Sequence, residues 1–301
     1  MNSAIRTANL SKAFRSQRVL NSLDLEIPET SVFGLVGPNG AGKTTAIKIL
    51  MNILKPTSGR CEVLGVDSTN LGPADLARIG YVSENQDIPA WMTVEYLMKY
   101  LKPFYATWDD SLASDLLRKF ELPPKRKVRH LSRGMWMKTA LAASLAYRPS
   151  LLVMDEPFSG LDPVVRQDLI EGLLENAEGT TILVSSHDLS DIESFASHIG
   201  YLDRGRLQFS EEMSSLTQRF REVEVTVDSP AAAPTNSHWP AHWLRRETSP
   251  ALIRFVETQF EAERTDNEIR QLFGEVRNIS VNPMPLRAIF ITLARSASKT
   301  A

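Results

Sequence analysis

The chain has 301 residues, 34 Lys and Arg against 36 Asp and Glu for a net charge of −2, with 43% hydrophobic and 23% charged residues. That length accommodates one large domain or two ordinary ones, and the composition excludes wholesale disorder. Near-neutral charge argues against nucleic acid as a partner, and the single cysteine, Cys61, excludes an internal disulfide or a multi-cysteine zinc site.

No apolar run reaches the ~18 residues that a membrane-spanning helix needs. The start also lacks the apolar core of a secretion signal. A cytoplasmic, soluble chain is the expectation.

In chain order, the first apolar run is Val32–Val36, which predicts a strand buried on both faces of a parallel sheet. The residues that follow, Gly37, Pro38, Asn39, Gly40, Ala41, Gly42, Lys43 and Thr44, match G-x-x-x-x-G-K-[ST] in full. A helix is expected to begin near Lys43. The glycines let successive backbone N–H groups curl toward phosphate oxygens, and the helix N-terminus adds its dipole at the same place. Lys43 is then placed for the β- and γ-phosphates and the Thr44 hydroxyl for Mg²⁺. An ordinary glycine-rich turn is the alternative, and the flanking strand and helix argue against it.

A second strand is expected at Arg78–Val82. Leu112, Leu116, Leu117 and Phe120 then fall on one helical stripe. The basic run Pro124–Arg129 resembles a nucleic-acid patch, but in a chain of net charge −2 it reads as a solvated loop. A third strand, within Ser150–Glu156, ends in Asp155 and Glu156 at the sheet edge where ligands of open α/β sheets gather. Asp155 suits Mg²⁺ and Glu156 suits a general base on water; a solvated strand end is the bland alternative. Val165, Leu169 and Leu173 form another helical stripe, and a fourth strand at Thr180–Ser186 runs into His187, a candidate γ-phosphate contact or an ordinary core or surface histidine.

Composition shifts beyond about residue 210. Residues 229–240 read as a Pro- and Ala-rich loop, with strands expected at 222–227, 251–256 and 276–281 and helices at 266–273 and 286–294. Residues 211–301 therefore read as a small α+β module, either a passive appendage or an element that contacts its twin. His238 and His242 stand in it without an acidic or cysteine partner set.

Taken as an ordered set, residues 1–210 resemble the ATP-binding subunit of an ABC transporter. Phe14 matches the family's adenine-stacking aromatic, 37–44 its P-loop with Thr45 beside it, and Leu131-Ser132-Arg133-Gly134-Met135 its signature. Asp155-Glu156-Pro157 matches the acidic strand end, Ser159-Gly160-Leu161-Asp162 the D-loop, and His187 the switch histidine. The resemblance implies an α/β P-loop NTPase fold with a mixed sheet core and a helical subdomain over about 88–147. It also implies catalytic roles for Glu156, His187 and Lys43, and nucleotide contacts from Phe14, 37–45, Asp162 and, from the opposing subunit, Ser132 and Gly134. ATP and Mg²⁺ are the implied cofactors, with the metal held by Thr44, Asp155 and a Q-loop group.

Two departures stand out. Arg133 and Met135 replace the first Gly and the Gln of the usual Leu-Ser-Gly-Gly-Gln. After Ile79–Val82, where the family places its Q-loop Gln, stand Ser83 and Glu84, with Gln86 two residues on. Glu84 fits the metal-facing register and Gln86 is the alternative. Within the family, the stretch 79–97, the altered signature and the tail from Pro285 resemble the ABC-2 type exporter group, whose permease is a separate chain. This implies a homodimer sandwiching two ATP molecules, peripheral at the cytoplasmic face of the cell membrane. A soluble, non-transport ABC ATPase of repair or translation type is the rival reading. Such proteins usually carry two nucleotide domains, a long coiled coil or a zinc insertion, none of which is visible here.

Overall fold

A computed structural model describes residues 2–15, 17–83, 86–227, 239–249 and 251–297 of the chain. They form two units, Met1–Ser210 and Glu211–Ala301.

The first unit is organised around a six-stranded sheet in the order Arg206–Glu212, His198–Asp203, Val32–Val36, Thr181–Ser186, Leu151–Asp155, Ile79–Ser83. Neighbours from His198–Asp203 to Ile79–Ser83 are parallel. Leu151–Asp155 is buried at every position, as is Thr181–Ser186, which is why both read as unbroken apolar runs rather than alternating ones. The register pairs Val36 with Ser186, and Asp155 with both Ser185 and Ser83. The carboxyl ends of four strands therefore reach one level, the edge where open α/β sheets bind ligands.

A second sheet is antiparallel and was not foreseen from the sequence. It is built on the long strand Ser3–Phe14, paired with Gln17–Leu23, Glu26–Pro28 and Ser58–Val63, with Val66–Asp67 at its far edge. Asn9 sits at φ 50 and the register slips beside it, so the two-residue alternation that would announce a strand is broken mid-run. Helix Lys43–Leu50 packs between the sheets, its Ile47, Ile49 and Leu50 joining Ile5, Leu20, Phe33 and Val153 in one core.

Between the second and third core strands lie helices Val94–Leu101, Asp110–Lys119 and Arg133–Leu145. Each starts on a side-chain cap, in which Thr93, Asp109 and Ser132 accept from the backbone N–H of Tyr96, Leu112 and Met135.

The second unit is an antiparallel sheet in the order Trp243–Thr248, Leu252–Glu257, Arg221–Val227, Val276–Pro283, with helices Ala262–Phe273 and Leu286–Ala297. Val223, Val225 and Val227 alternate into a core with Trp239, Trp243, Phe255, Ile269 and Phe273. The rings of Trp243 and Phe255 stack with centroids 3.9 Å apart. One expectation is corrected: His242 has acidic partners. Its Nε2 lies 2.9 Å from Glu268 Oε2 and 3.5 Å from Glu257 Oε2, because the fold brings three segments distant in sequence to one end of the sheet. His238 and most of the loop read at 229–240 lie outside the described residues.

Cys61 is buried on Ser58–Val63, and its desolvation pushes the thiol up to about 11. A disulfide-exchange thiol reagent at pH 8 should therefore leave the native protein unlabelled and modify one thiol after denaturation. Rapid labelling of the native chain would contradict this burial.

Candidate functional site

The loop after Val32–Val36 curls at the level where the four strands end. Gly37 N–H donates to the Ser186 carbonyl across 3.2 Å, which ties the start of the loop to the neighbouring strand end. A Cβ at Gly37 would lie 2.1 Å from the Leu202 carbonyl oxygen, so only glycine fits that approach. Gly42 caps the helix at φ 110, a left-handed conformation that glycine adopts without strain. Pro38, Asn39 and Gly40 are exposed at the loop tip, while Ala41 and Lys43 are buried and Thr44 and Thr45 half-buried.

Lys43 Nζ points back into the loop and donates to the Gly37 carbonyl at 2.6 Å. It also lies 3.1 Å from Glu156 Oε1. The other oxygen of Glu156 accepts from the His187 backbone N–H at 3.3 Å and lies 2.7 Å from His187 Nδ1. Glu156 is thereby held between the loop lysine and the histidine. Its backbone sits at φ 52, a strained conformation for a residue with a side chain, and costs of order 1–3 kcal/mol.

Asp155 faces the start of the helix. Its Oδ1 accepts from the Thr44 hydroxyl at 3.1 Å and from the Ser185 hydroxyl at 2.7 Å. Two oxygen ligands at neighbouring corners of an octahedral Mg²⁺ site stand about 3.0 Å apart, given metal–oxygen distances of ~2.1 Å. The hard-oxygen pair Thr44 and Asp155 therefore fits that ion without rearrangement.

Several residues were missed in the sequence. Ser185 is fully buried; besides donating to Asp155 it accepts the Glu156 backbone N–H at 3.0 Å, so one hydroxyl positions both carboxylates. Ser186 donates to Asp191 at 2.8 Å, and Asp191 pairs with Arg166 Nη1 at 2.5 Å. Burial pushes the Asp191 carboxyl above its usual range, against the opposing pull of Ser186 and Arg166. Small hydroxyls on a buried strand carry no signal that separates them from structural serines.

Other sequence-derived residues lie at varied places. Phe14 is 47% exposed at the end of Ser3–Phe14, under the cation of Lys12, on the hairpin whose second strand brings Val19 to the P-loop groove. Asp162 spends its carboxylate on capping helix Pro163–Asn176, accepting from the N–H groups of Val164 and Val165. Ser132 likewise caps its helix, and Gly134 is packed so that a Cβ there would meet Val165 at 2.7 Å. Arg133 reaches across the D-loop, its guanidinium lying against Gly160. Gln86 lines a different groove, with Tyr81, Leu97 and Tyr147, and Glu84 lies outside the described residues.

The ABC transporter family model matches residues 20–159. The ABC transporter ATP-binding protein YtrB of Bacillus subtilis (strain 168) is 31% identical over 227 residues, 75% of this chain and 77% of that protein. The bacitracin transport ATP-binding protein BcrA of Bacillus licheniformis is 30% identical over 250 residues, covering 80% of this chain and 81% of its own. A solved dimeric ATP-binding cassette, MJ0796, in a post-hydrolysis state with ADP and Pi, superposes with a TM-score of 0.62 at 25% identity, over 69% of this chain and 98% of that one.

Replacing Ser185 with Ala would strand the Glu156 N–H in a buried setting, at a cost of about 1–3 kcal/mol. The urea midpoint of Ser185→Ala should fall accordingly. An unchanged midpoint would show that this bond contributes nothing.

Proposed function

The chain belongs to the ABC transporter ATP-binding proteins, and from that premise we propose that it hydrolyses ATP to drive a separate membrane permease of export type. One observation carries the catalytic part: Glu156 lies between Lys43 Nζ and His187 Nδ1, at the mouth of a phosphate-binding loop.

Lys43 now spends its donors on the Gly37 carbonyl and Glu156. With ATP in the loop, its ammonium turns to the β- and γ-phosphate oxygens, and backbone N–H groups of the loop tip and helix start take the remaining charge. Glu156, relieved of Lys43, accepts a proton from the attacking water. The water oxygen bonds to the γ-phosphorus as the bond from that phosphorus to the β–γ bridging oxygen breaks, leaving ADP and phosphate. His187 holds the second carboxylate oxygen and so fixes the aim of the first. Thr44 and Asp155 would hold Mg²⁺, which would supply charge neutralisation at the phosphates. Phe14 offers an exposed ring for the adenine.

Each site is completed by a second copy, which brings the start of helix Arg133–Leu145, with Ser132 exposed and Gly134 behind it, to the γ-phosphate. The dimeric MJ0796 cassette supports that arrangement. Among the described residues no helix is long and apolar enough to cross a membrane. On this reading the permease is another chain and the subunit sits at its cytoplasmic face. Export as the direction follows from the resemblance of 79–97, the altered signature and the tail to ABC-2 exporters, with the bacitracin transport relative in support.

Glu156→Gln should lower ATP turnover by roughly 10²–10⁴-fold, the usual worth of a positioned base, while nucleotide binding persists. Lys43→Ala should weaken binding itself. Turnover of Glu156→Gln equal to that of the unaltered protein would remove Glu156 from the mechanism. The same Glu156→Gln protein should also double in mass on ATP addition in size-exclusion runs with light-scattering detection. A mass indifferent to ATP would count against the two-copy site.

A further inference from the structure

The second unit contains a side-chain cluster for which ATP hydrolysis has no use. His242 precedes strand Trp243–Thr248, Glu257 ends strand Leu252–Glu257, and Glu268 lies on helix Ala262–Phe273. One imidazole nitrogen and one oxygen from each carboxylate all lie within 4.8 Å of one another. We propose that these three residues bind a divalent cation of the Zn²⁺ class, which clasps the edge strand to the helix.

The distances suit such an ion. At ~2.1 Å from each ligand in tetrahedral geometry, ligand atoms stand about 3.4 Å apart. His242 Nε2 is 3.5 Å from Glu257 Oε2 and 2.9 Å from Glu268 Oε2. The second separation has to open by about half an ångström, and the two carboxylate oxygens lie within 4.8 Å of each other; Glu268 is a quarter exposed on a helix surface where its side chain has room to swing. Mixed nitrogen and carboxylate ligation favours a borderline ion over a soft one. The fourth position falls to water, since His242 and Glu268 both keep contact with solvent.

The surroundings hold the ligands as a metal site requires. Glu257 is fully buried, a costly place for a carboxylate that lacks compensation. Its Oε2 accepts from the Trp243 indole N–H at 2.7 Å and its Oε1 from the Gln259 backbone N–H at 2.6 Å, which fix the plane of the group. The His242 carbonyl accepts from both the N–H and the hydroxyl of Thr258, at 3.0 and 2.9 Å, which pins the backbone that carries the imidazole. Arg264, 3.8 Å from Glu257 Oε1 and 4.0 Å from Glu261 Oε2, is shared between two carboxylates, so the cluster keeps negative charge for a cation.

Tag-free, full-length, nucleotide-free protein is stripped with chelator and titrated with Co²⁺, then in parallel with Zn²⁺. One equivalent of Co²⁺ should develop the strong visible absorption of a four-coordinate ion, Zn²⁺ should bleach it, and Zn²⁺ should raise the Tm. Glu268→Gln and His242→Ala should each weaken Co²⁺ binding by at least about tenfold, with far-UV circular dichroism and basal ATP hydrolysis unchanged. A Co²⁺ spectrum that stays that of the hydrated ion, or variants that bind as well as the unaltered protein, would overturn the proposal and leave His242 as a hydrogen-bond partner of Glu268.

Discussion

The parallel register of Thr181–Ser186 against Leu151–Asp155 is the constraint on which the candidate site depends. It sets Ser185 beside Asp155, and the single Ser185 hydroxyl then donates to the Asp155 carboxylate and accepts the Glu156 N–H. Successive residues of a regular strand point to opposite faces. Two adjacent carboxylates would ordinarily diverge, one toward the P-loop and one away from it. The left-handed backbone of Glu156 breaks that alternation, so Asp155 meets Thr44 and Glu156 meets Lys43 on consecutive residues of one helix start. A strained residue persists where its surroundings over-determine it, and here the Ser185 hydroxyl, Lys43 and His187 all hold Glu156.

Polar contacts extend this arrangement away from the phosphate loop. Ser186, the residue before His187, is bonded to Asp191, which is paired with Arg166 on the helix that Asp162 caps. Arg133, at the start of the signature helix, lies against Gly160 of the D-loop. Helix Arg133–Leu145 thus meets the loop at Gly160 through Arg133, and the turn after His187 meets helix Pro163–Asn176 through Asp191 and Arg166. The substitution of Arg for the usual glycine in the signature places its cation against its own D-loop.

The second unit solves a different problem. Its small sheet buries an aromatic cluster of Trp239, Trp243, Phe255 and Phe273, and at the edge of that cluster a full carboxylate, Glu257. An indole N–H, a backbone N–H and a nearby guanidinium compensate the buried charge. Trp243 serves both ends of the arrangement, stacking its ring on Phe255 and donating its N–H to Glu257.

Sequence alone determined the chemistry that depends on local order. A phosphate loop needs its glycines, lysine and threonine at set spacing between a strand and a helix, so 37–44 is legible in eight residues. Fully buried parallel strands are legible too, since both faces demand apolar side chains, as in Leu151–Asp155 and Thr181–Ser186. What pairs residues across the chain was not. The long strand Ser3–Phe14 hid behind a left-handed Asn9 and a slipped register. Ser185 looked like any buried hydroxyl. His242 looked solitary because Glu257 and Glu268 are near only after the sheet and helix have formed. Local spacing survives in one dimension because its geometry is carried by adjacent peptide units. Hydrogen bonds and charge pairs between strands distant in sequence exist only once packing has set the register, and that the tertiary structure alone decided.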